Sequence, residues 1–412
     1  MTTLAAAMGV RMRHEAPSGP RAQASVASLL RSSPSARPES LPAVPPPPGT
    51  APVTRAAPHM LHGDAQHSHR AHGHVPANAE VLWSFHADGP IEGQVVASPD
   101  ETTLYFSTLG GSLWALDRGG KPRFHIPLGA RAYATPTVSP TGTVYVGSDG
   151  GVFYAIDPSG HVEWKLATAG DADTGSVLLD DGEVVFAAGS RVFGVARGGV
   201  IAFRFQAKGK VFTAPALTHA GPGHEPQIVV GSQDDHVYAL TTKGELAWST
   251  DLGHDVDGAA AIGDDGGIYV GTDGGQVVRL DDAGKVVWRV DVGGYVRGTL
   301  SIARNGDVLA GVYGPSPRLV RLSQGGDVRG ACPVRGNGSR ETGVYGGPLE
   351  DDDGALVFGG QDGKVHAIDP NGAERWAYDA HTDVDAPITL LGDGSLVVGD
   401  YDGNVVALGP KP

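Results

Sequence analysis

The sequence predicts an all-β fold, an eight-bladed β-propeller of four-stranded antiparallel blades, on three observations. One aromatic position recurs at Trp83, Phe124, Trp164, Phe203, Trp248, Trp288 and Trp376, with Gly330 in the seventh place, at intervals of 39 to 46 residues. Each interval holds four short strand-like runs. Glycine supplies 62 of 412 residues with no triplet period, about twice the usual share, which marks turn-dense β structure and excludes collagen. A period near 40 with strand content belongs to propeller blades rather than helical solenoids.

Residues 1–58 are rich in Ala, Ser, Arg and Pro and include the run Pro45 to Pro48. They offer too little apolar surface to offset chain entropy, so this leader is expected to be disordered. The following segment, 59–80, crowds His59, His62, His67, His69, His72 and His74 into sixteen residues. Imidazole clusters can capture zinc, copper or nickel, which makes His67, His69, His72 and His74 the metal candidates. No cysteine or regular helical His spacing accompanies them, so the expectation is no metal and a flexible approach segment running over one face of the next domain.

The propeller is placed at 81–412. Within one period, Ala132–Val138 is apolar with a central proline, Thr143–Gly147 alternates, SDGG turns, Val152–Asp157 alternates again and His161–Leu166 closes. Asp-Gly and Gly-Gly supply the positive φ angles of tight hairpins, so the middle strands pair antiparallel. The same turn recurs at Asp273, Asp362 and Asp402. A glycine stands four residues before seven of the eight anchors, from Gly120 to Gly372, and Ala79 is the exception. Asp117, Asp157, Asp281 and Asp369, three residues earlier, can close their own turns.

The resulting motif reads ALDRGGKPRF, AIDPSGHVEW and AIDPNGAERW in its best copies. It resembles the tryptophan-docking repeat of the quinoprotein alcohol dehydrogenase-like superfamily, the PQQ-like repeat, over residues 81–412. The tryptophan fills the gap between neighbouring sheets, worth up to about 4–6 kcal/mol by area. The blade marked by Gly330, the seventh by anchor count, is expected to be the loosest.

Inner strands beginning near Ile91, Ala132, Ala172, Val211, Val256, Val296, Val344 and Val384 number eight, but the outer strands that follow a complete blade number seven. The strand Val81–His86 has no blade of its own and is expected to pair into the last one, closing the ring and removing a sheet edge.

Nine residues past each anchor stand Glu92, Tyr133, Asp173, Phe212, Asp257, Arg297 and Asp385, with Tyr345 taking the place in blade seven. The next position is small in every blade, as convergence at the axis requires. The first column mixes carboxylates, a guanidinium and aromatics, and is expected to ring one mouth of the central channel as the binding site. Three departures from the repeat mark candidate binding loops: His219–Pro226 in blade four, Gly314–Arg318 in blade six, and Arg335–Gly343 in blade seven.

Charge narrows the partners. Residues 1–80 carry a net +3 and the remainder −18, so an acidic body argues against nucleic acid. Cys332 is the only cysteine, which forbids an intrachain disulfide. No apolar run is long enough for a membrane helix, and Leu4–Val10 is short of a secretory signal.

The resemblance implies two readings. One is a non-catalytic protein-binding scaffold similar to the propeller lipoprotein of the outer-membrane-barrel assembly machine, with an extracytoplasmic location. The other is a dehydrogenase holding pyrroloquinoline quinone (PQQ) and calcium at the channel mouth. That branch brings an adjacent cysteine pair and a longer chain, and Cys332 alone cannot supply the pair. A sensor or carbohydrate-binding module, with Tyr133, Phe212 and Tyr345 as stacking platforms, is a third reading. The sequence favours the scaffold, without cofactor or catalytic residues.

Overall fold

The computed structural model describes residues 59–221, 225–336, 338–339 and 342–410; the 1–58 leader lies outside them. Eight four-stranded antiparallel sheets follow one another in chain order. Among the described residues there is no α-helix, only a single 3-10 turn at Leu61–Gly63, and so none long and apolar enough to cross a membrane. The second sheet is representative: inner strand Thr137–Val138, then Val144–Ser148, Val152–Ile156 and outer strand Val162–Ala167. The second strand is buried throughout, whereas the outer strand alternates exposed and half-buried residues, as an edge facing solvent should.

The ring closes as expected. Glu80–His86 pairs antiparallel with Asn404–Gly409, so the eighth blade takes its outer strand from the N-terminal side. The apolar cores lie between adjacent sheets: Val96, Tyr105 and Ala115 of the first blade pack with Val138, Val144 and Ile156 of the second.

Wherever the anchor is a ring, the turn glycine of the motif packs on the anchor of the preceding blade. A side chain at Gly120 would strike the ring of Trp83, at Gly160 that of Phe124, at Gly199 that of Trp164, and at Gly284 that of Trp248. Trp164, Trp248 and Trp288 each donate their indole N–H to a carbonyl two residues before that glycine, on Arg197, Asp282 and Gln324. The motif therefore describes a seam between blades rather than a unit within one.

Gly330 lies on the outer strand Val328–Pro333 of the sixth sheet, not in the seventh. Open space surrounds it and surrounds Gly372, the turn glycine of the seventh blade, so the missing ring leaves a gap at the sixth-to-seventh seam. Anchor count misplaced it because the first anchor, Trp83, belongs to the eighth blade.

The inner strands begin about five residues later than expected, at Val96, Thr137, Ser176, Ala216, Ala261, Ser301, Leu349 and Thr389. The residues before them bond to the preceding blade instead: Ala132 N–H donates to Thr108 O and Ala172 N–H to Ser148 O. The predicted ring positions thus lie in the crossing from one blade to the next.

Residues 59–79 form a strap across the end of the channel where the inner strands finish. His59, Ala65, Gln66, Ser68 and His69 offer their carbonyls to the N–H groups of Val138, Leu217, Ile262, Ile302 and Glu350, at 2.6 to 3.0 Å. These donors hold equivalent places on five inner strands whose channel-facing edge has no sheet partner, so the strap satisfies backbone groups that would otherwise be buried unpaired. The path is tight enough to hold His62, His67 and His69 at φ near +56°, a region that histidine visits more readily than branched residues.

Candidate functional site

A cavity of about 90 Å³ occupies the channel. Its wall holds Glu92, Tyr133, Asp173, Phe212, Asp257, Arg297 and Tyr345, and Leu61 and His62 of the strap join the lining. Seven of the eight ring residues therefore share one cavity. Asp385 stands behind it, 5 % exposed, and its charge still reaches Tyr345. Beneath the ring the backbones meet: a Cβ at Gly258 would strike Gly298 O, which is the packing reason for the small column.

Four of the five charged ring residues, Asp173, Asp257, Arg297 and Asp385, are held by the mouth-side hairpin of the preceding blade, 24 positions earlier. Gln233 Nε2 donates to Asp257 at 3.2 Å, Gln361 Nε2 to Asp385 at 2.9 Å, and Asp273 takes two hydrogen bonds from Arg297 Nε and one from Nη2. Asp149 and Asp173 share a hydrogen bond at the same offset. Asp149 and Asp273 escaped the sequence reading, which took Asp273 for a turn residue only. The 24-residue offset was present as a signal, but only knowledge of the seam makes it readable.

Burial shapes the protonation of this wall. Asp173 is pushed up to about 8, first by desolvation and then by the charges of Asp149 and Asp171. Asp257 rises to about 6 by desolvation and the neighbouring Asp273. Two carboxyls in contact hold one proton between them, because both charges together would be too costly there. Tyr345 keeps 40 % of its surface open at the mouth. Its phenol is nonetheless raised, by desolvation first and then by Glu92, Asp257 and Asp385, so these carboxylates converge on it.

At the strap, His62 N–H donates to Gln94 Oε1 at 2.7 Å, and the His62 ring lies flat on His69 at 4.1 Å. His62 Nδ1 donates to His67 O, and His67 Nδ1 to Ala260 O. His69 sets its two ring nitrogens against Gly347 O and Ile388 O at 2.8 and 2.9 Å. Burial lowers all three, His69 to about 4. Of the four metal candidates, only His74 joins other ligand-bearing groups, Asp351 and Asp353, with the ligand atoms within 4.8 Å. Asp351 already accepts the N–H groups of Val75, Asp353 and Ala355, and His72 pairs with Asp352 at 3.5 Å. Gln94 and His62 were absent from the sequence-derived site because neither belongs to the repeating column.

The three irregular loops divide between the faces. Gly314–Arg318 and the described part of 335–343 meet beside the ring: Gly314 N–H donates to Thr342 O, and Tyr313 stands edge-on to Tyr345 at 6.2 Å. The described part of the 219–226 insertion follows the inner strand Ala216–Leu217 and so lies toward the strap.

Comparison with solved structures places the architecture. BamB from Moraxella catarrhalis superposes with a TM-score of 0.64 at 18% identity, covering 81% of this chain and 98% of that one. The quinohemoprotein alcohol dehydrogenase from Comamonas testosteroni gives 0.71 at 12%, covering 87% and 82%. The computationally designed Ika8 protein gives 0.62 at 17%, covering 80% and 99%. At these identities the likeness is one of fold. No curated protein matches the sequence. The sequence profile described as outer membrane protein assembly factor BamB matches residues 71–224 and 233–324, more than half of the chain. The chain belongs to that family of PQQ-like β-propellers.

Proposed function

We propose that this protein is a non-catalytic, extracytoplasmic scaffold that binds a protein partner on the face carrying the ring. The observation that carries this reading is the convergence of Glu92, Asp257 and Asp385 on the half-exposed Tyr345, beside two loops that break the repeat. Aromatic groups at a rim of fixed charges are the composition of an interface centre. The family's description as an assembly factor supports the same reading.

The PQQ branch does not fit these residues. The cavity, about 90 Å³, falls well short of the ~300–1,000 Å³ of pockets that enclose a drug-sized ligand. Cys332 lies on the outer strand of the sixth blade, with no second cysteine in the chain.

Affinity capture with cross-linking identifies the partner, and direct titration of that purified protein follows. Asp257→Lys with Asp385→Lys should abolish its binding. Unchanged binding would overturn the ring as the site and direct attention to the loops. Adding PQQ with Ca²⁺ should give no bound chromophore, and dye reduction would overturn the non-catalytic reading.

A further inference from the structure

We infer that the channel cavity is a cage for one organic cation, a guanidinium or primary ammonium head group. Its lining presents acceptors and ring faces. Glu92, Asp173 and Asp257 contribute carboxylates and Tyr133, Phe212 and Tyr345 contribute aromatic rings. Among the described residues the one guanidinium in the wall, Arg297, is paired with Asp273 through both carboxylate oxygens.

Three buried polar atoms lack a donor among the described residues: His62 Nε2, and Asp149 Oδ1 with Asp173 Oδ1, which belong to the pair that shares one proton. His62 is an independent observation, since it comes from the strap rather than the ring. It is 1 % exposed, lines the cavity, and sets Nδ1 against His67 O, while Nε2 is buried without a hydrogen bond of good geometry. A ligand that satisfies this set must bring donors and positive charge. A guanidinium carries five N–H donors in one plane and an ammonium three, and both are attracted to aromatic faces. Phe212 already holds Lys210 Nζ at 5.5 Å from its ring centre. The volume, about three waters' share of liquid, fits a head group rather than a ring system.

Protons leave as the cation enters. Asp173 faces Asp149, Asp171 and Lys210, and Asp257 faces Asp273, Asp255, Gln233 and Arg297. A cation favours their ionised forms, so affinity rises with pH from about 6 to about 8.

The cation site stands on the cavity alone. Assigning the head group to a partner chain rests on the scaffold reading. Calorimetry of the full chain with N-acetylarginine amide, N-acetylcitrulline amide and 1,5-diaminopentane tests both. The two cations should bind and release protons into buffer, and the neutral citrulline isostere should bind at least about tenfold more weakly. Asp173→Asn, Asp257→Asn and, at the rim, Glu92→Gln should each weaken the cations, whereas Asp157→Asn on an exposed turn should not. Equal binding of citrulline, absence of heat from both cations at millimolar concentration, or indifference to all three variants would overturn the cage.

Tighter binding of the arginine derivative assigns the head group to a polypeptide, and tighter binding of the diamine assigns it to a free amine. If the cations bind while the Lys reversals leave partner capture intact, the scaffold reading falls and the cage stands. If the cations fail while the reversals abolish capture, the cage falls alone.

Discussion

Trp376 donates its indole N–H to the carbonyl of Pro76 at 2.8 Å, across 300 positions of sequence. At three other seams the tryptophan reaches a turn of the next blade. The eighth blade has no such turn because its outer strand comes from the N-terminal side, and the strap stands in. Trp376→Phe keeps the ring and removes the donor, so it should cost about 1 kcal/mol in chemical denaturation. An unchanged midpoint would mean that Pro76 O finds water instead.

The sixth-to-seventh seam offers the opposite experiment. Gly330→Trp should fill the open space facing Gly372 and stabilise the fold by about 1–3 kcal/mol. Its N–H can reach the carbonyl of Pro370, which holds the place taken by Arg197, Asp282 and Gln324 elsewhere. Gly330→Ala should change little. A lowered melting temperature for the Trp variant would show that the neighbouring blades have already closed the gap.

Acid should loosen the strap. His69 is depressed to about 4 from 6.5, so the unfolded chain binds a proton at a pH where the folded chain does not. Its contribution to stability is complete above pH 6.5 and is lost as the pH falls toward 4, about 3 kcal/mol for this residue. His62, lowered by burial and then by His69 and His67, acts in the same direction. Thermal melts across this range should steepen with acid, and His69→Gln should flatten the curve.

Asp173 carries the opposite sign. Its pKa is raised from 3.8 to about 8, so the folded chain holds the proton, and stability present below 3.8 is lost as the pH rises through 8. Asp173→Asn imitates the protonated form and should raise stability in alkaline solution by about 1–3 kcal/mol. The gain should vanish in acid, and a gain independent of pH would point to packing.

The repeat and its closure were legible because every blade solves the same packing problem with the same residue types, and a strand without a blade matches a blade without a strand. What Gly120 or Gly199 packs against was not legible, since the motif places glycine beside its own anchor while the ring that covers it belongs to the blade before. Nor did spacing reveal that Glu92 and Asp257 precede their strands, because an apolar run that bonds to a neighbouring blade reads like the start of a strand in its own. The fixed bonding of the strap was hidden for a different reason: it runs through backbone carbonyls, which every residue carries. Its polar, histidine-rich composition therefore reads as solvent-exposed while His62 and His69 are buried.

The strap also fixes an order of assembly. Its carbonyls need inner strands from Val138 to Glu350, and Glu80–His86 needs Asn404–Gly409. A growing chain completes the strap's set of donors only with the seventh blade and the partner of Glu80–His86 only with the last, so these N-terminal residues cannot all settle before the ring is nearly made. Loop closure over such a separation is slow, and until it occurs the eighth blade displays an open edge. The earliest described residues of the chain are thus the last to take their place.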